Sequence, residues 1–290
     1  MASTFDRIRF AERLATRRLG HTLFARAEVG STNDVAWEAL AAGAPDGTVV
    51  VADAQTRGRG RAGRTWEMAP GRGLALSVAL RPHRDRGSLA ALPLAAGLAT
   101  AQALETLGAR PSLKWPNDVL LGGRKVAGVL CESRRNPASP GLAPAAPGGA
   151  GGRARRAGAA RGALLDLVVV GVGVNVAQVR EDFPPELAAA TSLALEGTAT
   201  EREVVAAAFL NALEPLWRAL EEGARAPLLE AWRARAGFWG CEVAVQTPVG
   251  EVRGVAQGLD EDGALVLALA GGGRSVVLAG DLEWLEGEGA

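Results

Sequence analysis

The chain has few residues of several types, and each shortage argues against a class of protein. Its 290 residues include only two cysteines, Cys131 and Cys241, which lie far apart and lack metal-ligand spacing. This argues against a disulfide framework and a zinc site, and it favours a reducing cytoplasm as the compartment. Tyrosine is absent and aromatic residues make up 4% of the chain. Proteins that bind single-stranded RNA usually stack bases on aromatic rings, so this composition weighs against them.

An excess of one charge and long apolar runs are also missing. The 32 basic residues balance 32 acidic ones, so the formal net charge is zero and no overall field attracts nucleic acid. No apolar run is long enough to span a bilayer, and residues 1–21 lack the apolar stretch of a signal peptide. We therefore expect no membrane association. A hydrophobic content of 48% supports a substantial core.

Lysine is scarce in an unusual way. Of the 32 basic residues only Lys114 and Lys125 are lysines, and all the others are arginines. Together with the abundance of alanine and glycine, this is typical of a GC-rich codon bias. A lysine retained under such a bias suggests a need for its compact, titratable ammonium group, which arginine does not provide. Both lysines fall in one short segment, which is therefore a candidate site.

A loop rich in arginine lies between two predicted strands, and we call residues Arg57–Trp66 the arginine loop. The apolar runs Thr48–Ala52 and Leu74–Leu80 flank it and have the length and composition of strands. Its glycines let the backbone approach a ligand, while its N–H and guanidinium groups suit phosphate or carboxylate. The functional hypothesis is a loop that closes over a phosphate-bearing intermediate. The alternatives are a flexible basic linker and an RGG-like RNA tether.

Polar residues also stand at the start of a predicted helix and at the mouth of the arginine loop. Ser31, Thr32 and Asn33 precede a helical pattern over residues 34–42. They either cap this helix or offer hydroxyl and amide groups to a small neutral ligand. Gln55 follows a predicted strand and is either an ordinary loop amide or a donor and acceptor for a ligand.

The segment that contains the lysines predicts a broken hairpin. Pro116 interrupts the strand ladder and exposes Asn117 and Asp118 at a strand end, so that Lys114 and Asp118 share one region near a sheet edge. The alternative is a surface hairpin with a salt bridge. Farther along, the small residues Gly171–Asn175 end a buried strand and suit a flat ring on the backbone, with Asn175 reading a purine edge. The alternative there is a glycine-kinked strand.

The remaining pattern predicts helices, an insertion and a small barrel. Helical patterns cover residues 4–18, 88–108, 201–223 and 227–237. Residues 134–163 hold six arginines and no acid among Pro, Gly and Ala, which predicts a disordered insertion. From residue 240 onward, short strands alternate with glycine turns, which is typical of an all-β barrel. The strands expected there are residues 241–247, 250–258, 264–269 and 274–279.

Together these segments resemble the biotin–protein ligase family, and the likeness covers roughly residues 22 to 286. The resemblance implies an α+β fold, with a mixed-sheet catalytic domain of the biotin/lipoate ligase type, similar to class II synthetases, followed by an SH3-like β-barrel. The implied organisation is an N-terminal segment at 1–21, a catalytic domain at 22–238 and the barrel at 239–290. The matching segments are Ser31-Thr32-Asn33, Gln55, the arginine loop, Lys114–Asp118, Lys125–Gly128 and Gly171–Asn175.

The resemblance also implies an ATP-dependent activation of biotin as biotinyl-5′-AMP, with Mg²⁺, and transfer to a lysine of a biotin carboxyl carrier domain. The implied catalytic residues are Lys114, Arg61 and Asp118, the last a candidate Mg²⁺ contact or an orienter of Lys114. The implied biotin contacts are Ser31, Thr32, Asn33, Gln55, Arg59, Gly60, Arg61, Trp66 and Lys114. The implied ATP and adenylate contacts are Arg59, Arg61, Arg64, Trp66, Lys114, Asn117 and Asn175.

The same resemblance bears on other partners and on competing functions. The chain before residue 22 is too short for a winged-helix domain, so we expect no DNA binding. A homodimer is compatible with the family. The competing functions are a lipoate or octanoate ligase of the same fold and, from a different class, a non-catalytic RNA-binding module that uses the arginine loop. The acid that supports ATP–pyrophosphate exchange would separate the two ligases.

Overall fold

Two sheets carry the structure, as the sequence predicts. The computed structural model describes residues 3–82, 89–135 and 166–285. The helices are α1 (Arg7–Arg13), α2 (Thr32–Ala41), α3 (Leu92–Thr106), α4 (Arg202–Glu221) and α5 (Ala226–Arg233). The first sheet contains β1 (Leu23–Val29), β2 (Thr48–Gln55), β3 (Gly73–Leu80), β4 (Ser112–Lys114), β5 (Asp118–Leu121), β6 (Arg124–Arg135) and β7 (Asp166–Asn175). The second contains β8 (Glu242–Thr247), β9 (Gly250–Leu259), β10 (Leu265–Ala268), β11 (Arg274–Val277) and β12 (Asp281–Trp284).

The first sheet is mixed, with the strand order β1-β2-β3-β7-β6-β5-β4. Strands β1 and β2 run parallel, and every other neighbouring pair in this order is antiparallel. Strand β3 is buried along its whole length, which explains its nearly continuous apolar sequence. The second sheet is antiparallel, with the order β11-β10-β9-β8-β12. The fold therefore combines a mixed α+β sheet with a small all-β unit.

The two faces of the first sheet are covered by different helices. Because side chains alternate along a strand, even-numbered residues of β3 and β7 pack in the core with α3 and α4. Odd-numbered residues point to the opposite face, where Ala79 and Val169 pack with Trp37 of α2. Helix α2 is short and covers only part of that face. The part that α2 leaves uncovered includes Gly173 and Asn175, and together with Gly171, against which Asn33 of α2 lies, it forms the floor of the site described below.

Several elements differ in extent from the sequence prediction. Helix α1 spans Arg7–Arg13 rather than residues 4–18, because Asp6 caps its start through the N–H groups of Ile8 and Arg9. Helix α4 continues through Pro215 without interruption. Strand β12 was not predicted. Most of the predicted insertion at 134–163 lies outside the described residues. In the described ranges, no helix is long and apolar enough to cross a membrane.

An aromatic cluster connects the second sheet to the end of the first domain. The ring of Trp232 on α5 meets Phe238 edge-on at 6.3 Å, and Phe238 meets Trp284 of β12 in the same way at 5.9 Å. Trp115 also donates from its indole N–H to the carbonyl of Gly263 at 3.2 Å. These contacts place β12 beside the hairpin of β4 and β5.

A buried ion pair joins α4 to β2, and hydrogen bonds connect the N-terminal segment to the same carboxylate. The side chains of Arg202 and Asp53 are only 8% and 10% exposed, and their atoms Nη1 and Oδ1 lie 2.9 Å apart. Asp53 also accepts hydrogen bonds from the Ser3 hydroxyl and the Thr4 amide. Because β2 leads into the arginine loop, this network fixes the position where that loop begins.

We expect Asp53→Asn to lower the free energy of unfolding by about 3 kcal/mol, because it leaves the buried Arg202 charge without its carboxylate. Urea unfolding measured by circular dichroism gives this value. The matched control is Glu251→Gln, which breaks the exposed pair with Arg253 and should leave the unfolding curve unchanged. Equal curves for Asp53→Asn and the wild type would show that the buried pair contributes no net stability.

Candidate active site

A cavity of about 480 Å³ lies on the α2 side of the first sheet. It extends across the strands, from the end of β2 to the hairpin of β4 and β5. Its lining brings together every site residue that the sequence singled out. These are Ser31, Thr32, Asn33, Gln55, Arg59, Gly60, Arg61, Arg64, Trp66, Lys114, Asn117, Asp118 and Asn175.

Neutral polar groups line one end of the cavity and are held in place by hydrogen bonds. The Gln55 carbonyl oxygen accepts from the amide and hydroxyl of Thr32, at 2.8 and 3.1 Å. The Ser77 hydroxyl donates to Asn33 Oδ1 at 2.6 Å. Ser31 precedes α2 without a side-chain capping bond, so its hydroxyl is not used as the cap that its position suggested. This end offers fixed amide and hydroxyl groups to a neutral polar ligand.

The indole of Trp66 lies flat on the middle of the sheet. A Cβ atom added to Gly173 would stand 2.3 Å from this ring, and one added to Gly128 would stand 3.3 Å from it. These glycines therefore allow the close contact. The sequence suggested a flat ring on the backbone of Gly171–Asn175, and the ring found there belongs to the protein itself. Its Nε1 is buried without an acceptor in the described part of the chain, and an unmet buried donor costs about 1–3 kcal/mol.

Charged residues line the opposite end of the cavity. Lys114 and Asp118 face each other across the antiparallel pair β4–β5, as the broken hairpin predicted. The carboxylate of Asp118, however, forms its ion pair with Lys125, at 2.7 Å from Nζ to Oδ1. The ammonium of Lys114 instead lies 5.8 Å from the centre of the Trp284 ring. Asn117 is buried, and its amide donates to the carbonyl of Val129.

Ion pairs hold two side chains of the arginine loop. Arg59 contacts the carboxylates of Asp34 at 2.8 Å and Glu132 at 3.2 Å. Burial alone would lower the pKa of Arg59, but these two carboxylates outweigh it and raise that pKa. Arg64 pairs with Asp281 of β12 at 2.6 Å. In this conformation protein carboxylates neutralise the charges of Arg59 and Arg64.

Two cations of the cavity have no carboxylate partner within the described ranges, namely Arg61 and Lys114. The Arg61 guanidinium donates to Asn117 Oδ1 at 3.1 Å and to the Gly280 carbonyl at 3.2 Å, both neutral acceptors. Burial lowers the pKa of Arg61, and the carboxylates of Asp281 and Asp118, which lie beyond ion-pair distance, offset this effect only in part. A half-buried cation without a direct ion pair attracts an anionic ligand. This end of the cavity is therefore suited to phosphate or carboxylate.

Asn175 lines the cavity but is partly engaged by the fold. Its amide donates to the carbonyl of Thr191 at 2.9 Å, and its Oδ1 accepts from Gln178 at 2.9 Å. One further N–H and one lone pair remain on this side chain. The predicted contact of Asn175 with adenine stays a prediction.

The sequence did not single out Trp284, which lines the cavity, or Glu132 and Ser77, which bond to side chains that line it. Glu132 accepts from Asn33 Nδ2 at 2.9 Å and from Trp37 Nε1 at 3.1 Å, in addition to its pair with Arg59. It therefore joins the start of α2 to the arginine loop. A signal was available, because Glu132 directly follows the apolar run Val126–Cys131, and an acidic residue beside buried apolar residues needs a partner.

A second cavity of about 850 Å³ lies on the other side of the arginine loop. Cys131 contributes to its wall, and burial raises the pKa of this thiol to about 12. The thiol is protonated at neutral pH, so Cys131 is a poor nucleophile. Covalent cysteine chemistry is therefore not the activity that this region suggests.

Comparison with known proteins agrees with this geometry. Residues 26–141 match the family model described as the biotin/lipoate A/B protein ligase family, and residues 239–283 match the biotin protein ligase C terminal domain. The bifunctional ligase/repressor BirA of Bacillus spizizenii is 33% identical, over 95% of this chain and 77% of that protein. The biotin–[acetyl-CoA-carboxylase] ligase of Mycobacterium tuberculosis is 37% identical, over 88% of this chain and 86% of that protein.

A solved structure gives the same result for the fold. The biotin protein ligase from Aquifex aeolicus in complex with biotin and ATP superposes with a TM-score of 0.70 and 28% identity, and covers 91% of this chain and 98% of its own. Together, the two family models and a relative 33% identical over nearly the whole chain show that this protein belongs to the biotin protein ligase family.

Proposed function

We propose that the protein activates biotin with ATP to give biotinyl-5′-AMP, and then transfers biotin to a lysine of a biotin carboxyl carrier domain. The observation that carries this proposal is the division of the cavity into two ends. One end presents fixed neutral amides and hydroxyls, and the other presents the unneutralised cations Arg61 and Lys114. A ligand with a neutral polar ring at one end and an anion at the other fits this division.

The first half-reaction brings two anions together. A carboxylate oxygen of biotin attacks the α-phosphorus of ATP, the bond to the bridging oxygen breaks, and pyrophosphate leaves. The two anions repel each other as they approach, so cations must reduce this repulsion in the transition state. Arg61 and Lys114 are placed to do this, because both line the cavity and neither forms an ion pair within the described ranges.

The second half-reaction transfers biotin to the carrier. The neutral amine of the acceptor lysine attacks the carbonyl carbon of the mixed anhydride, and AMP leaves with the former carboxylate oxygen. The amine must lose a proton, and we propose Asp118, the carboxylate opposite Lys114 across β4 and β5, as the group that accepts it. We assign Ser31, Thr32, Asn33 and Gln55 to the ureido ring, and Trp66 to the apolar wall. Arg59, Arg64, Asn117 and Asn175 then serve the adenylate, with Gly60 allowing close approach of the loop.

Mg²⁺ would be bound jointly by ATP phosphates and the protein, and the residues present fit that arrangement. Within the described ranges, no group of three or more His, Cys, Asp or Glu residues forms a metal cage. Mg²⁺ commonly uses one or two protein carboxylates, with phosphate and water completing its shell. Asp118 provides one carboxylate in the cavity, and Lys125 binds its Oδ1. Once bound, the ion would offset charge on the phosphates.

The partner we propose is a biotin carboxyl carrier domain, encountered in the cytoplasm. We also propose that DNA is not a partner. A homodimer is compatible with this assignment and is tested by the sedimentation of the purified chain.

Acid-dependent ATP–pyrophosphate exchange tests the proposed function against its nearest alternative. Biotin should support exchange, whereas lipoate and octanoate should not. Mass spectrometry of a carrier domain incubated with the protein, ATP, Mg²⁺ and biotin should then show the mass of one biotinyl group. Exchange with lipoate or octanoate but not biotin would assign the chain to the other ligases. Salt-dependent binding of RNA, without any exchange, would revive the RNA-binding hypothesis.

We expect Lys114→Arg to slow pyrophosphate exchange by about tenfold to a hundredfold while the fold is retained. The bulkier planar guanidinium cannot replace a compact ammonium at a crowded phosphate, and a lost charge-assisted contact costs about 1.5–3 kcal/mol. Exchange kinetics and circular dichroism measure the two effects. The control is Arg124→Lys on the neighbouring turn, whose exposed side chain pairs with Glu196 and should leave the rate unchanged. Near-normal exchange by Lys114→Arg would contradict the role of Lys114.

We expect Arg61→Gly to release biotinyl-5′-AMP, so that the variant labels unrelated proteins. Arg61 connects the arginine loop to Asn117 and to the carbonyl of Gly280, and its loss removes both contacts. A loop that no longer covers the mixed anhydride lets it diffuse away and react with exposed lysines. Incubation with biotin, ATP and serum albumin, read by avidin blot, measures this labelling. Wild-type labelling by a variant that still forms the adenylate would show that Arg61 does not retain it.

A further inference from the structure

One short segment of the C-terminal sheet contacts three cations of the candidate active site. The segment is Gly280–Trp284, and we call it the closing segment. Its first residue accepts a hydrogen bond from Arg61, its second forms the ion pair with Arg64, and its last places an indole face 5.8 Å from the Lys114 ammonium. The contacted cations all line the cavity, and Trp284 lines it as well.

The groups of the closing segment that contact Arg61 and Lys114 are neutral, and its Asp281 acts on Arg61 only from beyond ion-pair distance. A backbone carbonyl and an aromatic face both attract a cation and restrict its position, but neither carries a net charge that would cancel it. These two residues are also the cavity cations that lack a carboxylate partner in the described part of the chain. The closing segment thus orients both cations while leaving their charge available to an anion.

Arg64 receives a different partner from the same segment. Its guanidinium pairs with Asp281 at 2.6 Å, and both side chains keep substantial exposure, 54% and 35%. An exposed pair of this kind contributes little to stability. The pair nevertheless holds the part of the arginine loop around Arg64 against the C-terminal sheet. Because Arg61 also reaches the closing segment, the loop is fastened there at two points.

We propose that the closing segment is a positioning part of the active site, in which Trp284 holds Lys114, and Gly280 and Asp281 hold the arginine loop over the reacting groups. This inference rests on the proposed function. It assigns to the C-terminal sheet a direct effect on adenylate formation rather than a purely structural role. Because the neutral end lies near the end of β2, at the opposite end of the cavity from this segment, recognition of the biotin rings should not be affected.

The matched variants are Trp284→Phe and Trp284→Leu. Phenylalanine keeps an aromatic face beside Lys114, whereas leucine keeps an apolar side chain but no such face. We expect Trp284→Leu to lower kcat of biotin-dependent pyrophosphate exchange by about tenfold and to leave KM for biotin unchanged. Trp284→Phe should stay within about threefold of the wild type. Glu251→Gln on β9 is the control, since Glu251 is exposed, lies outside the closing segment and does not line the cavity.

Equal kcat values for the leucine and phenylalanine variants would overturn the role of Trp284, and so would a loss in the leucine variant that appears only in KM for biotin. Thermal unfolding of each variant shows whether it is folded, because Trp284 also contacts Phe238. Should Trp284→Leu fail to fold, Asp281→Asn tests the proposal independently. It should raise KM for ATP about three- to fivefold with unfolding unchanged, and an unaltered KM would overturn the proposal.

The outcome for the wild type separates this inference from the proposed function. If the wild-type protein shows no biotin-dependent exchange, the proposed function fails. If the wild type is active and both Trp284→Leu and Asp281→Asn match it, only the inference about the closing segment fails.

Discussion

Electrostatic repulsion between two anions is the constraint on which this structure depends. Biotin's carboxylate and the α-phosphate of ATP must meet in one cavity, and cations must be ready to receive them. Buried cations are costly without a partner, so the ligand-free protein has to satisfy them in some other way. It gives carboxylates to Arg59, Arg64 and Lys125, while Arg61 and Lys114 contact neutral groups and form no ion pair in the described part of the chain. The charge left uncancelled lies where the chemistry is proposed.

The fold supplies this arrangement through the alternation of its strands. Even-numbered residues of β3 and β7 build the core, so the odd-numbered residues are left for the opposite face. On that face α2 covers one part. In the rest, Gly128 and Gly173 have no side chains, so the Trp66 ring can lie against the backbone. Glu132 joins α2 to the arginine loop, and the closing segment joins that loop to the C-terminal sheet. The cavity is thus enclosed by elements distant in sequence.

The sequence predicted most strands and the residues that line the cavity, but it did not predict which side chains these residues contact. Periodicity and composition locate strands such as β3, and the retained lysine with the Pro116 break leads to Lys114 and Asp118. The partner of Asp118 could not be foreseen, because the choice between Lys114 and Lys125 depends on strand register and rotamers. Strand β12 was missed because it has only four residues and two of them, Asp281 and Glu283, are charged. Glu132 was missed because its partners lie in α2 and in the arginine loop, both far from it in sequence.

The central claim is that the cations of this cavity recognise the anion of the ligand, whereas the neutral end recognises its rings. Calorimetric titration with biotin and with biotinol, which keeps the rings but has an alcohol in place of the carboxylate, tests this directly. Biotinol should bind about tenfold more weakly than biotin at low salt, because it loses one charge-assisted contact worth about 1.5–3 kcal/mol. The difference should shrink as salt screens the charges. Equal affinities for biotin and biotinol at low salt would contradict the account.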